Sequence, residues 1–163
     1  MKKIMFSIIG VVVLFGLCSI AEASIVDISV ETDKPVYQLG EEVMISVIAY
    51  NPNPEPVTLT CGFYQSSYII DGVYDWAEGR SGPDLIIHVT IEPYDLAIWE
   101  HTHGFNEMLE YPLGIGSHSL VGEVLAAELL DAGQSKSPPI EFQVVPEPAT
   151  ILLLGFGGLI LRS

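Results

Sequence analysis

Cysteine is nearly missing from this chain, with only Cys18 and Cys61 present. Once any leader that carries Cys18 is removed, no intrachain disulfide is left to form. Cys61 sits in the apolar stretch Val57 to Phe63, where a small buried hydrophobe is the commoner role for a lone thiol. Basic residues are almost as scarce, six Lys and Arg against 21 Asp and Glu. Between Ser24 and Val145 the count is nineteen acidic and three basic side chains (Lys34, Arg80, Lys136), a net charge of −16. Such a body repels nucleic acid and anionic lipid, which excludes both as partners and favours solubility outside the cell. Catalytic signatures are missing too: there is no Gly-x-Ser-x-Gly elbow, no His-Glu-x-x-His helix and no phosphate loop. No residue is assigned as catalytic or metal-ligating, no cofactor is expected, and no internal repeat is visible.

What the chain has in excess is apolar sequence, gathered at its two ends. Met1-Lys2-Lys3 is a positive start, Ile4 to Ile20 an almost unbroken apolar run, and Ala21-Glu22-Ala23 a small-x-small cleavage site. This is the layout of a secretory signal peptide over residues 1–23, read by the Sec translocon, with Ser24 as the first mature residue. An uncleaved anchor is the competing reading, since the run is close to the roughly 20 residues that span a bilayer. A lipoprotein is excluded locally, because bulky Leu17 precedes Cys18 where a lipobox needs a small residue.

Between the ends, short runs of period two alternate with Gly, Pro, Asn and Asp, the pattern of strands joined by turns. In the first run, Ile25 to Glu31, Val26, Ile28 and Val30 share one face. Val43 to Tyr50 carries apolar residues on both faces, which suggests a central strand. After the proline-stiffened Asn51 to Pro56, the positions Val57, Leu59, Cys61 and Phe63 resume the alternation. Further strands are expected at Ser67 to Val73, Leu85 to Ile91, Tyr94 to Thr102, Glu107 to Tyr111, Ser117 to Leu125 and Ile140 to Val144, with one brief helical candidate at Val124 to Leu130 that reads equally well as the end of a strand running into a loop. About nine short strands with turn chemistry between them predict an all-β fold, a single antiparallel β-sandwich over residues 24–145.

The far end reads Val145-Pro146-Glu147-Pro148-Ala149-Thr150, then Ile151 to Leu161, then Arg162 and Ser163. The two prolines end any preceding strand and hold the chain extended. Ala149 to Leu161 as a helix measures only about 20 Å against a hydrocarbon core of about 30 Å, so it inserts but makes a poor permanent anchor. Arg162 favours keeping that end on the cytoplasmic side, with the body outside.

This tail resembles the PEP-CTERM sorting signal, in which a Val-Pro-Glu-Pro-Ala-Thr-like motif precedes a Leu/Gly-rich hydrophobic stretch and a short basic end. The resemblance covers the last 19 residues, with 146–163 as the signal proper. It implies transient recognition by an exosortase, cleavage near Pro146-Glu147-Pro148, and delivery from the membrane to the cell surface or extracellular matrix. The basic end is usually an arginine cluster and here is Arg162 alone, which implies weaker retention.

A second resemblance lies at the start of the body. Glu31-Thr32-Asp33-Lys34-Pro35-Val36-Tyr37-Gln38-Leu39-Gly40-Glu41-Glu42-Val43 is similar to the first hairpin of many secreted immunoglobulin-like domains. Pro35 is expected to keep an edge strand unpaired, Tyr37 to cover the sandwich end, and Gly40 to turn the chain. With Asn51, Val57-Thr58-Leu59 and Gly116 to Val124, the body looks like a BsuPI-type proteinase-inhibitor domain, His118 standing where that family has tyrosine.

These readings lead to an expectation of a secreted, non-enzymatic binding or structural module, whose partner is an extracellular polysaccharide or protein. A BsuPI-like protease inhibitor is the alternative and a secreted hydrolase the second. Three side-chain sets are weighed as sites. His101 and His103 share one face of an extended segment, with His88 and His118 as further imidazoles, but their spacing matches no zinc motif. Asp71, Asp75, Glu78 and Asp84 gather carboxylates without the order of a calcium loop. Trp76, Trp99, Tyr64, Tyr68, Tyr74 and Tyr94 form either an aromatic platform or, for most of them, core.

Overall fold

A computed structural model describes residues 24–148. The expected signal peptide with Ala21 and Ala23, and the tail from Ala149 and Thr150 through the apolar stretch to Arg162, lie outside the described residues.

The alternating runs become strands β1 (Asp27–Thr32), β2 (Val36–Gln38), β3 (Val43–Tyr50), β4 (Val57–Ile70), β5 (Tyr74–Asp75), β6 (Ile87–Ile91), β7 (Leu96–His103), β8 (Gly116–Ala126) and β9 (Ile140–Val145). Two short helices interrupt them, α1 (Phe105–Glu110) and α2 (Ala127–Ala132). One sheet has the order β1-β3-β7, all antiparallel. The other runs β2-β9-β8-β4-β5, with β6 also on β4. The first strand region therefore splits between the sheets: β1 pairs with β3, and β2 crosses over to run parallel to the last strand, β9. This two-sheet order is that of an immunoglobulin-like sandwich.

The core forms where the inward residues of the two sheets meet. Val26, Ile28 and Val30 face Val43, Ile45, Val47 and Ala49 on one side, and Leu59, Cys61, Tyr68, Ile70, Leu120, Val124, Phe142 and Val144 on the other, all buried. Gly122 lies at the closest approach of the layers: a Cβ there would sit 3.0 Å from Val30 Cβ and 3.2 Å from Val47 Cγ1. Burial keeps the Cys61 thiol above its usual range, so it behaves as an unreactive hydrophobe.

Several expectations are corrected. The strand predicted at Glu107 to Tyr111 is helix α1, which caps the sandwich end beyond β7. Val57 to Phe63 and Ser67 to Ile70 are one strand, β4, broken by a bulge rather than a turn, and Asp71 to Val73 of the second run form the turn that follows it. Val124 to Ala126 belongs to β8, and the helix starts one residue later, at Ala127. Pro35 does not leave its strand unpaired: β2 forms a parallel ladder with β9, and the Pro35 carbonyl accepts from the Gln143 N–H at 2.9 Å. Central placement of β3 is seen, between β1 and β7, yet its second face stays open to solvent at Met44 and Tyr50. Tyr37 is buried edge-on against Phe142 and donates to Asp33, while Gly40 turns the chain at φ 82°, a left-handed value that suits glycine.

Candidate functional site

Residues of β4 and β7 line an open cleft, and β4 is bulged where it does so. Cys61 pairs with Ala126 and Ser66 with Val124, so five steps along β4 match two along β8. The surplus residues leave the ladder and the period of two is lost. Phe63, expected inward with Leu59 and Cys61, is thereby turned out and is 46% exposed.

Opposite the bulge, β7 alternates. Ala97, Trp99, His101 and His103 point between the sheets, whereas Leu96, Ile98 and Glu100 point out. The β5 turn brings a third wall. Trp76 follows β5 directly, its N–H donating to the Tyr68 carbonyl at 3.0 Å. Its ring stacks on Tyr68, meets Tyr64 edge-on with centroids 5.4 Å apart, and touches His101 at 4.7 Å. The Arg80 guanidinium lies 4.6 Å from the Trp76 ring centre and pairs with Glu107. Together these residues leave a cleft of about 330 Å³ lined by Phe63, Tyr64, Trp76, Trp99 and His101, with polar groups from Gln65, Ser66 and Glu100. Trp99 Nε1 donates to Gln65 Oε1 at 2.9 Å, which fixes the indole plane.

The expected aromatic set thus divides. Tyr68 is core, Tyr64, Trp76 and Trp99 open onto the cleft, and Tyr74 stacks on Tyr111 beside it. Tyr94 belongs to neither group: it stands exposed in the loop before β7, with φ 60°.

His101 and His103 do share a face, as expected, but they are not solvent-exposed loop residues. His103 is fully buried, its Nε2 donating to the Tyr111 carbonyl at 3.0 Å and its Nδ1 accepting from the Tyr68 hydroxyl at 3.2 Å. One donor and one acceptor fit a neutral ring, and burial holds its pKa below the usual histidine value. His101 Nε2 lies 2.8 Å from Ser66 Oγ, and burial lowers its pKa likewise. That distance suits a nucleophile and base. Ser66 is only 3% exposed, and its contact with His101 links β4 to β7.

The remaining candidates go elsewhere. His88 is exposed on β6, near Thr60. Asp71 collects the Ser119 N–H at 2.8 Å, the Tyr111 hydroxyl at 3.0 Å and His118 Nδ1 at 2.8 Å. His118 Nε2 also donates to the Gly114 carbonyl at 2.8 Å and its ring stacks on Phe142. Two acceptors facing two ring nitrogens require the imidazolium. Burial works against that charge, but the bonds to Gly114 and Asp71 raise the His118 pKa. Burial also works against the Asp71 charge, and the bonds from His118, Ser119 and Tyr111 lower its pKa. Asp75 binds the Ser67 hydroxyl and the Ala77 N–H, while Glu78 and Asp84 are exposed. Among the described residues no three His, Cys, Asp or Glu side chains converge as metal ligands. Sequence reasoning missed both the Asp71–His118 link and Phe63, because each depends on a bulge or turn that alternation alone does not reveal.

Of the expected sorting motif, Val145 is the last residue of β9, paired with Gln38, and its carbonyl accepts from the Leu39 N–H at 2.9 Å. Pro146 is half-buried, and Glu147 and Pro148 are exposed. Ser24, the expected first mature residue, is half-buried beside β1.

No family model and no curated protein matches the chain. Solved structures do resemble it. The CARDB domain of a Pyrococcus furiosus protein, solved in complex with di-metal ions, is 12% identical with a TM-score of 0.45, over 74% of this chain and 87% of that one. The sporulation control protein of Bacillus subtilis is 13% identical with a TM-score of 0.49, over 77% and 51% of the two chains. A β-glucosidase from Listeria innocua, in complex with glucose, is 13% identical with a TM-score of 0.39, over 75% of this chain and 16% of its own. The immunoglobulin-like assignment rests on the strand order above, and no ligand or activity passes from these proteins to this chain.

Proposed function

We propose that this is an exported, non-enzymatic binding module, carried through the Sec translocon by residues 1–23 and sorted to the cell surface or matrix by an exosortase acting on residues 146–163. The observation that carries the sorting half is the continuity of Val145 with Pro146-Glu147-Pro148. The last core strand passes straight into the motif, whose Glu147 and Pro148 are exposed at the rim of the domain. Replacing the three residues by alanine leaves the unprocessed chain in the membrane fraction.

The binding half rests on the aromatic cleft. Flat, half-buried indole and phenol faces with a few polar groups suit a neutral sugar surface, and the net charge of −16 between Ser24 and Val145 opposes anionic ligands. We assign the cleft to a short stretch of neutral extracellular polysaccharide. Glycan-array or calorimetric titration of the processed protein is expected to find such a ligand. Trp76→Ala then weakens it by at least about tenfold, or about 1.4 kcal/mol. Because Trp76 also packs against the core, the exposed Phe63→Ala is the companion variant, and it weakens binding without shifting the unfolding midpoint. Equal binding by both variants refutes the cleft as the site, and stoichiometric inhibition of a protease by the processed protein would replace this reading with the inhibitor.

A further inference from the structure

The end of the sandwich from which the tail leaves exposes several large apolar side chains. At this end β9 stops at Val145, β8 begins at Gly116 opposite Val144, and β3 and β7 meet at Val43 and His103. Three segments cover it. Helix α1 follows β7, the segment 111–115 leads into β8, and the turn after β4 is tied down through Asp71 to Ser119, Tyr111 and His118. On these segments large hydrophobic side chains face solvent: Phe105 is 72% exposed, Leu109 71%, Ile115 60% and Val73 71%. α1 buries none of its residues, so it is not placed there to complete the core. The opposite end is organised differently, around the fully buried Asn51, whose side-chain N–H groups donate to the carbonyls of Glu55, Ile91 and Glu92.

The length of chain between this end and the apolar tail decides what meets it. From Val145 to Ile151 the extended backbone reaches at most about 20 Å, and two prolines stiffen it. With Ile151 to Leu161 in a bilayer, this end of the domain is held at the membrane surface. Side chains such as Phe and Leu enter the boundary between headgroups and acyl chains, the depth at which amphipathic surface helices lie. Charge selects the lipid. Among the described residues each cation near this end has a carboxylate partner, Arg80 with Glu107 and Glu110, Lys34 with Glu41 and His118 with Asp71, so little positive charge is left to attract an anionic headgroup.

We infer that the α1 end of the domain, through Phe105, Leu109, Ile115 and Val73, seats the unprocessed chain on the surface of a zwitterionic bilayer and so presents Pro146-Glu147-Pro148 at a set height for cleavage. This rests on the sorting role proposed for the tail. Processing removes the tether, and the acidic body then leaves the surface.

The test uses the full chain, expressed without an exosortase so that the tail is kept, and reconstituted in phosphatidylcholine vesicles. In a Cys18→Ser background, Leu109→Cys, Ile115→Cys and, at the far end, Tyr94→Cys each carry an environment-sensitive fluorophore; Cys61 is buried and stays unlabelled. The expected result is a blue shift and loss of emission to headgroup-level spin-labelled lipid at 109 and 115, with neither at 94. Adding phosphatidylglycerol reduces both effects. If the full chain floats with the vesicles, the chain lacking 151–163 does not, and all three labels respond alike, the sorting role stands and the seating is wrong. If removing 151–163 leaves flotation unchanged, the tail is not the tether and both readings fall. Quenching at 109 that depends on protein density rather than on the spin-labelled lipid assigns this end to a second copy and also overturns the inference.

Discussion

Tyr68→Ala is expected to cost about 3–5 kcal/mol of unfolding free energy, the range for removing a large aromatic from a packed core. Tyr68 is fully buried on β4 where the bulge ends, and it is the ring that the other aromatics share. Trp76 stacks on it, while Tyr74, His101 and His103 have ring centres within 6.1 Å. Truncation opens a cavity beneath the cleft floor and also leaves His103 Nδ1 without its donor, a second cost because His103 is fully buried. Tyr68→Phe separates the two contributions. It keeps the ring and removes only the hydroxyl, with an expected loss of about 1–3 kcal/mol. Urea unfolding of the processed domain measures both. A loss for Tyr68→Ala no larger than that for Tyr68→Phe would show that the aromatic cluster is not packed as described.

Stability is expected to peak near pH 6.5 and to fall on both sides, for reasons that differ in sign. His103 and His101 are held neutral, with pKa values below the unfolded histidine value of about 6.5. As pH drops below that value the unfolded chain takes up protons that the folded one refuses, so stability falls toward acid, by at most about 1.4 kcal/mol per pH unit for each ring. His118 is the opposite case. Its folded pKa is raised, so its contribution is complete below about pH 6.5 and is lost as pH climbs through the folded value. Asp71, whose pKa is lowered, keeps its contribution until the pH falls well into the carboxylate range. Unfolding midpoints from pH 4.5 to 8.5 should therefore show a steep acid limb and a shallow alkaline one. His101→Gln should reduce the acid limb and His118→Gln should remove the alkaline one. An acid limb that His101→Gln leaves unchanged would place its origin elsewhere.

Period-two alternation was enough to predict an all-β sandwich, because strands with one buried face advertise it: Val26 just before β1, Ile28 and Val30 on it, and Val43, Ile45, Val47 and Ala49 on β3, all point inward. Alternation failed where tertiary pairing overrides local pattern. Glu107 to Glu110 are good helix formers with no period-two alternation to sustain a strand, and after β7 ends at His103 the segment closes on itself as α1 from Phe105. β2 holds only three residues, too few for a periodic signal, and its parallel partner β9 is the last strand of the fold.

The cleft was half legible. Its tryptophans were named, but their convergence depends on the β4 bulge, and a bulge is a mismatch between two strands that no single run of residues displays. The Asp71–His118 bond was missed for a related reason. The turn after β4 and the start of β8 lie 47 residues apart and meet only because β4 and β8 pair.

The proposed sorting of the chain by its C-terminal tail is tested most directly by changing Pro146, Glu147 and Pro148 to alanine in the full chain, in a cell that contains an exosortase, and measuring the intact mass and location of the product. The account predicts that the unaltered protein leaves the membrane with a new C-terminus near the motif, and that the altered protein stays in the membrane fraction with residues 151–163 still attached. Release of the altered protein with the same truncated mass as the unaltered one would contradict it.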